Sequence, residues 1–220
     1  AKQVFSDVCV ATDDIRIYNV VKENGSEVVM TSQEHKSGTD RCLEAYQKYC
    51  ALKGKIFDVV VNVQGDEPFI SPLQLKQLSD CFKEPTVDIA TLAKRAENAK
   101  EVLDPNRPKV VLDKNNFALF FSRSVIPYNR DSYRAIGKLS DDVVNREKYY
   151  LHIGLYGYRK EVLEKICSLP QSFLEKSENL EQLRWLENGF RIKVSQSNQT
   201  SYGIDTPEDL ERINTLDIEL

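Results

Sequence analysis

Residues 61–68 read Val61-Asn62-Val63-Gln64-Gly65-Asp66-Glu67-Pro68, and this octapeptide indicates more about function than any other stretch. It continues an apolar run that begins at Phe57 and is typical of a buried strand. Gly65 and Pro68 end that strand. Open α/β sheets bind ligands at the carboxyl ends of their strands. Asp66 is therefore a candidate ligand for a hard divalent cation, and such cations accompany phosphates, so the first hypothesis is a magnesium–nucleotide site. The alternative is a solvated acidic turn.

Strands and helices alternate on both sides of this octapeptide. Helix starts are predicted at Asp13-Asp14, near Thr39 and at Ser71-Pro72. Apolar runs that predict further strands lie at residues 8–12, 27–30 and 89–92. This order predicts an α/β fold: a mixed, mostly parallel sheet with helices on both faces.

The pattern changes after residue 105. A strand–turn–strand signal covers residues 109–121, and residues 129–149 are polar and predict a surface excursion. We therefore predict a single domain over residues 1–220 that carries an antiparallel insertion subdomain at about 109–158. A single helix is predicted over about 177–188.

Composition excludes several classes of protein. The net charge of −4 and the pI near 5.4 argue against a nucleic-acid binder. No apolar run is long enough to span a membrane, and the start does not resemble a signal peptide. The five cysteines lack CxxC spacing, which favours free thiols in a reducing cytoplasm. Two histidines are too few for a typical zinc site.

Three further constellations could carry chemistry. Asp205 precedes a helix start at Thr206-Pro207 without being needed for it, so it is a possible second metal ligand. The string at 35–41 could present hydroxyls and N–H groups to a phosphate, or could simply cap a helix. The last set consists of Arg123, a histidine and tyrosines near 152–158, and residues 181–184. Within it, Glu181 and Arg184 could simply form an ion pair at i, i+3 on a helix.

Together these strings closely resemble the 3-deoxy-manno-octulosonate (KDO) cytidylyltransferase family of Gram-negative bacteria. The resemblance follows the family's order over nearly the whole chain. The matching stretches are residues 11–14, 35–41, 61–68, 121–123, 155–159, 180–184 and 203–210. It implies a nucleotide-diphospho-sugar transferase fold, a cytoplasmic homodimer and a role in lipopolysaccharide synthesis. It also implies the reaction, in which CTP and KDO give CMP-KDO and pyrophosphate.

The resemblance implies a role for each candidate residue. Mg²⁺ would be held by the catalytic carboxylates Asp66 and Asp205. The nucleotide would lie against Ser37, Gly38 and Gln64. The sugar-acid pocket would be lined by Arg123, His152, Tyr156, Glu181 and Gln182. No membrane or nucleic-acid partner is implied, and no general base is assigned.

One part of the family pattern does not occur in residues 1–220. Family members open with a strand and a basic, glycine-rich loop that cradles the triphosphate. We expect an upstream segment to supply both, and we expect residues 1–220 alone to be inactive. Two alternatives stay open: an acylneuraminate (sialic acid) cytidylyltransferase, and a non-catalytic nucleotide-sugar binding or dimerisation module.

Overall fold

The computed structural model describes residues 1–65 and 70–199, and these form a layered α/β structure. The strands are β1 (Cys9–Thr12), β2 (Glu27–Met30), β3 (Val59–Asn62), β4 (Ile89–Arg95), β5 (Lys109–Leu112), β6 (Ala118–Ser122), β7 (Tyr150–Arg159) and β8 (Ile192–Gln196). The helices are α1 (Ile15–Glu23), α2 (Gly38–Lys53), α3 (Pro72–Asp80), α4 (Ala99–Leu103), α5 (Arg130–Ile136), α6 (Asp141–Arg146), α7 (Lys160–Cys167), α8 (Phe173–Glu178) and α9 (Gln182–Glu187).

The strand β7 is the centre of the larger sheet. Its first half lies between β4 and β5, and its second half lies between β4 and β3, always antiparallel. β8 continues the sheet parallel to β4, and β6 continues it antiparallel to β5. β1 and β2 form a separate parallel pair. The α/β class with a mixed sheet is confirmed. Among the described strands, however, four of the six pairings are antiparallel and two are parallel, because β7 runs against its neighbours and β5 and β6 form a hairpin, so the expected parallel majority is not found there.

Two apolar layers cover the two faces of this sheet. Leu75 and Leu78 of α3 pack with Leu155 beneath one face. The other face carries Tyr158 and Trp185 in a larger cluster. Because successive residues of a strand point to opposite faces, β7 supplies side chains to both layers. Helices on both faces of the sheet therefore give the layered arrangement expected from the alternating sequence.

Helix caps explain most of the helix starts. Asp14 caps α1 by accepting from the backbone N–H of Arg16, and Ser71 forms a capping box with Gln74 at α3. Ser37 caps α2, and Gly54 ends that helix in the left-handed region (φ 61°). These ends follow the sequence signals closely.

The prediction of a single helix over 177–188 is wrong. The chain forms α8 and α9 instead, and Asn179 between them adopts a left-handed conformation with φ 51°. Asparagine tolerates that region better than other residues with a side chain, and it ends α8 there. The break leaves Glu181 as the residue before α9.

The segment 109–158 contains β5, β6, α5, α6 and β7. Its hairpin is antiparallel, and β7 joins it to the main sheet. The polar stretch 129–149 contains two short helices that its composition did not reveal. Within the described ranges, none of the helices has the length and apolarity needed to cross a bilayer. All five cysteines are free thiols, as predicted.

Candidate functional site

One face of β7 carries several of the side chains that the sequence analysis singled out. Tyr156 lies opposite Asn62 of β3 and opposite Thr91 of β4, and His152 lies opposite Ala93. Directly opposed residues project from the same face of a sheet. The rings of His152 and Tyr156 are 5.3 Å apart between centroids. These residues therefore form a polar patch within an otherwise apolar layer.

The helix α9 packs onto that patch. The ring of Trp185 meets Tyr156 edge-on at a centroid distance of 5.1 Å and meets Tyr158 at 5.6 Å. Gln182 lies three residues before Trp185 on the same helix, which is nearly one turn, and its side chain is buried. The fold thus places Tyr156 and Gln182, both predicted to lie on the sugar side, on packed neighbouring elements.

Five buried polar atoms in this region have no hydrogen-bond partner among residues 1–65 and 70–199. They are Asn62 Nδ2, Tyr156 OH, Gln182 Nε2, Arg184 Nε and Trp185 Nε1. Each of these groups can donate a hydrogen bond. Leaving such a group buried and unpaired costs about 1–3 kcal/mol, and folded proteins pair the large majority of them. A cluster of such donors is typical of a site where an oxygen-rich ligand supplies the acceptors.

Two surface clefts lie on the described structure, and the second of them runs along α2. A cleft of about 420 Å³ is lined by Asp13, Asp14, Ile15, Met30 and Gln33. A cleft of about 370 Å³ is lined by His35, Asp40, Leu43, Glu44, Gln47 and Cys167. Tyr156 and Gln182 line neither of them, so the polar patch on β7 is recognised by its buried polar atoms.

A partly buried hydrogen-bond network joins the start of α2 to the start of α9. The hydroxyl of Thr39 donates to Oε2 of Glu181 at 2.7 Å, across 142 positions of the chain. Arg184 donates to the other carboxylate oxygen at 2.6 Å, so the predicted i, i+3 pair is confirmed. Burial raises the pKa of Glu181, and the hydroxyls of Thr39 and Ser37 oppose that shift. The two sequence motifs, at 35–41 and 180–184, are therefore in direct contact.

The three residues predicted to contact the nucleotide also lie together. Ser37 caps α2 by accepting from the backbone N–H of Asp40 at 3.1 Å. The side chain of Gln64 packs so closely on Gly38 that a Cβ there would lie 2.9 Å from Oε1. Gly38 is therefore needed for this approach, because any side chain would displace the Gln64 amide. The N-terminus of a 16-residue helix faces the same region and favours negative charge.

His152 is held as a neutral imidazole. Its Nε2 lies 3.1 Å from the hydroxyl of Thr91, and its ring meets Phe121 edge-on at 5.1 Å. Burial lowers the pKa of His152 to about 3. At neutral pH the ring can therefore donate one hydrogen bond and accept one, but it does not offer a positive charge.

Arg123 follows β6 and is fixed by backbone carbonyls. Its Nε donates to the carbonyl of Glu178 at 2.7 Å, and its terminal nitrogens donate to the carbonyls of Pro105 and Asn179. The Glu178 carboxylate also accepts from the backbone N–H of Arg123 at 2.9 Å. A guanidinium has five N–H donors, so each terminal nitrogen keeps one N–H after these contacts. No described hydrogen bond joins Arg123 to His152 or to the other predicted sugar-side residues.

The two predicted metal ligands, Asp66 and Asp205, lie outside the described residues. Within residues 1–65 and 70–199 there is no cluster of three or more His, Cys, Asp or Glu side chains that could hold a metal ion. Asp66 is two positions beyond Gln64, whose side chain already packs on Gly38. The metal hypothesis therefore depends on residues outside that range.

Comparison with known proteins identifies the family. The family model described as "Cytidylyltransferase" matches residues 1–213. The chain belongs to the cytidylyltransferase family. It is 54% identical over 215 residues to a protein of Parabacteroides distasonis named 3-deoxy-manno-octulosonate cytidylyltransferase, which covers 96% of this chain and 82% of the relative. A protein of the same name from Bacteroides thetaiotaomicron is 55% identical over 210 residues, which is 94% of this chain and 80% of the relative.

A solved structure extends the likeness to three dimensions. CMP:2-keto-3-deoxy-manno-octonic acid synthetase complexed with CTP superposes with a TM-score of 0.80 at 35% identity. The superposition covers 94% of this chain and 78% of that one. This cytidylyltransferase therefore has the nucleotide-diphospho-sugar transferase fold that the family resemblance implied.

Sequence reasoning missed some residues of this cytidylyltransferase's candidate site. Thr39 lay within a quoted motif but received no role, although it joins the two motifs. Asn62 lay within the octapeptide and was read only as part of a strand. Thr91 and Trp185 had no local signal, because their place in the site depends on sheet register and on the packing of α9.

We predict that His152 makes the fold of this cytidylyltransferase sensitive to acid. The pKa of its ring is about 3 in the folded protein and near 6.5 when unfolded, so below pH 6.5 only the unfolded chain takes up the proton. The free energy of unfolding should therefore fall between pH 7 and pH 5, by up to about 2 kcal/mol from this residue, as the pKa difference dictates. His152→Gln should flatten that slope in urea titrations at each pH. Parallel pH profiles for wild type and variant would contradict the assignment.

Proposed function

We propose that this chain is a 3-deoxy-manno-octulosonate cytidylyltransferase, which couples KDO to CMP from CTP. The observation that carries the proposal is the identity of 54% over 96% of this chain to a relative of that name. The start of α2, singled out from the sequence, also contacts two other such stretches: Gly38 packs against Gln64, and Thr39 donates to Glu181. Such a site suits a small, polar, hydroxylated substrate.

The reaction is a nucleotidyl transfer. The oxygen of the sugar's anomeric hydroxyl forms a bond to the α-phosphorus of CTP, and the bond from that phosphorus to the bridging oxygen breaks. Pyrophosphate leaves with the bonding electron pair, and the hydroxyl proton passes to solvent. The protein's task is to hold the two reactants in line and to offset negative charge.

The nucleotide side of the site is proposed to be the start of α2 with Gln64. Backbone N–H groups near Ser37 and Gly38 and the positive end of the helix favour a phosphate or a polar base edge there. Gln64, held against Gly38, can donate and accept hydrogen bonds at once. Asp66 and Asp205 are proposed to bind Mg²⁺, which would neutralise phosphate charge when bound.

The sugar side is proposed to be the polar patch on β7 with the start of α9. Tyr156 and Gln182 donate to sugar oxygens, and neutral His152 both donates and accepts. Glu181, with its pKa raised by burial, accepts from hydroxyls at the junction of the two motifs. Arg123 offers its two remaining N–H groups to the sugar carboxylate, in the bidentate manner that guanidinium allows.

Substrate preference distinguishes the proposed KDO cytidylyltransferase from the alternative functions. An acylneuraminate cytidylyltransferase performs the same chemistry on another sugar acid, whereas a non-catalytic module would bind without turnover. The test measures pyrophosphate release from CTP and Mg²⁺ by the full-length gene product, with KDO and with N-acetylneuraminate. We expect KDO to be preferred by at least about a hundredfold in kcat/KM, because a buried polar site rejects a mismatched partner strongly. Preference for N-acetylneuraminate, or binding of CTP without any turnover, would overturn the proposal.

The metal ligands have their own test. Asp66→Asn and Asp205→Asn each keep the size of the side chain but remove a charge that would hold the cation. Each variant should lose at least about a hundredfold in kcat at ordinary Mg²⁺ concentration while its unfolding midpoint stays within a few degrees of wild type. Glu67→Gln, the neighbouring acid in the same turn, is the matched control for loss of charge alone. Near-normal turnover in either aspartate variant would remove that residue from the metal site.

We also propose a cytoplasmic homodimer that uses the segment 109–158. Its edge strand β6 carries Leu119, which is 62% exposed, and Tyr128 beyond it is 65% exposed. Exposed apolar side chains of this size on one segment suit a protein interface. Sedimentation at micromolar concentration should give the mass of a dimer, and Leu119→Glu should shift it toward the monomer. A wild-type monomer at that concentration would contradict the proposal.

A further inference from the structure

A single buried hydroxyl lies beneath His152. Thr91 is completely buried in β4, at the point where the register between β4 and β7 shifts. Its oxygen is 2.8 Å from the carbonyl oxygen of Leu155 and 3.2 Å from that of Ile153. The third neighbour is Nε2 of His152, at 3.1 Å. The hydroxyl of Tyr156 is a further polar neighbour: burial raises the pKa of Tyr156, and Thr91 opposes that shift. A neighbouring hydroxyl can donate to the second lone pair of Thr91, so it does not compete for the Thr91 hydrogen. The irregularity in the ladder thus brings two backbone carbonyls and one ring nitrogen to the same hydroxyl.

The neighbours of the Thr91 hydroxyl decide in which direction its single hydrogen points. A threonine hydroxyl has one hydrogen to donate and two lone pairs that accept. The carbonyls of Leu155 and Ile153 can only accept, so the hydrogen points to them, and Leu155 is the nearer. The hydroxyl then presents a lone pair to His152. If Nε2 carried no hydrogen, the threonine oxygen would face three acceptors with one hydrogen between them.

We propose that Thr91 is a positioning residue that holds the His152 proton on Nε2 and leaves Nδ1 as the hydrogen-bond acceptor for a substrate hydroxyl. A neutral imidazole carries one hydrogen, so fixing it on one nitrogen fixes the role of the other. Burial keeps the ring in this neutral form. The tautomer is a property of the protein alone, whereas the identity of the hydroxylated ligand rests on the proposed function.

This arrangement selects a sugar that can donate a hydrogen bond from one of its hydroxyls to His152. The unpartnered hydroxyl and amide of Tyr156 and Gln182 can donate to ligand oxygens. His152 Nδ1 adds an acceptor that demands an O–H at one position of the ligand. A polyhydroxylated sugar acid satisfies both demands, whereas an analogue that lacks that hydroxyl leaves the nitrogen unpaired. Thr91 thereby acts on specificity through His152 without touching the ligand.

Nitrogen NMR of the histidine rings tests the tautomer directly. The chain has only two histidines, so protein labelled with ¹⁵N-histidine gives two sets of ring signals, and His152→Gln identifies which set belongs to His152. In wild type at pH 7 we expect Nε2 to show the shift of a protonated nitrogen and Nδ1 that of a lone-pair nitrogen. Thr91→Ser keeps the hydroxyl and should keep this pattern. Thr91→Val, which has the same shape without the hydroxyl, should lose it and give the other tautomer or a mixture.

Two results would overturn the proposal: a wild-type ring with its hydrogen on Nδ1, or an unchanged pattern in Thr91→Val. The wild-type spectrum decides the tautomer by itself if Thr91→Val fails to fold. In turnover, Thr91→Val should raise KM for KDO about tenfold, leave KM for CTP unchanged, and be rescued by Thr91→Ser. Adding KDO should move the Nδ1 signal. If the tautomer is as stated but KDO leaves Nδ1 unmoved, the assignment of the ligand hydroxyl fails, together with the sugar side of the proposed function, and only the tautomer stands.

Discussion

The antiparallel pairing of β7 with three other strands is the constraint on which the rest of the site depends. Because β7 runs for ten residues between β4 and its two other neighbours, its register decides which side chains share a face. A slip of one residue would turn His152 and Tyr156 into the opposite layer. The pairing therefore fixes the polar patch, and α9 and the start of α2 only have to pack onto it.

The polar patch is costly for the fold, and this cost links stability to function. Five donors of this region are buried without hydrogen-bond partners in the described structure, and burial raises the pKa of the partly buried Glu181 carboxylate. A protein selected for stability alone would replace such groups with apolar ones. Keeping them is explained if a ligand pairs with them. The contacts that Thr39 and Arg184 make with Glu181 reduce the cost where the protein can do so without filling the site.

The sequence predicted those parts of the structure that depend on local signals. The capping serine at residue 37, the glycine at 38 and the strand before Gly65 all follow from residue type and spacing. The contact between the motifs at 35–41 and 180–184 does not, since it needs the tertiary packing of α9. Likewise Thr91 reaches His152 only through a register shift between two strands, which no periodicity reveals. The split of the predicted 177–188 helix was missed because Asn179 adopts a conformation that asparagine tolerates but does not require.

The most direct test measures the free energy of unfolding and the KDO affinity of the Tyr156→Phe variant. The change removes one hydroxyl that has no partner in the described structure and keeps the ring that packs on Trp185. We predict an unchanged or higher free energy of unfolding, together with a dissociation constant for KDO that rises about tenfold, as for the loss of one hydrogen bond. A lower free energy of unfolding with unchanged KDO affinity would contradict the account, because the hydroxyl would then serve the fold and not the ligand.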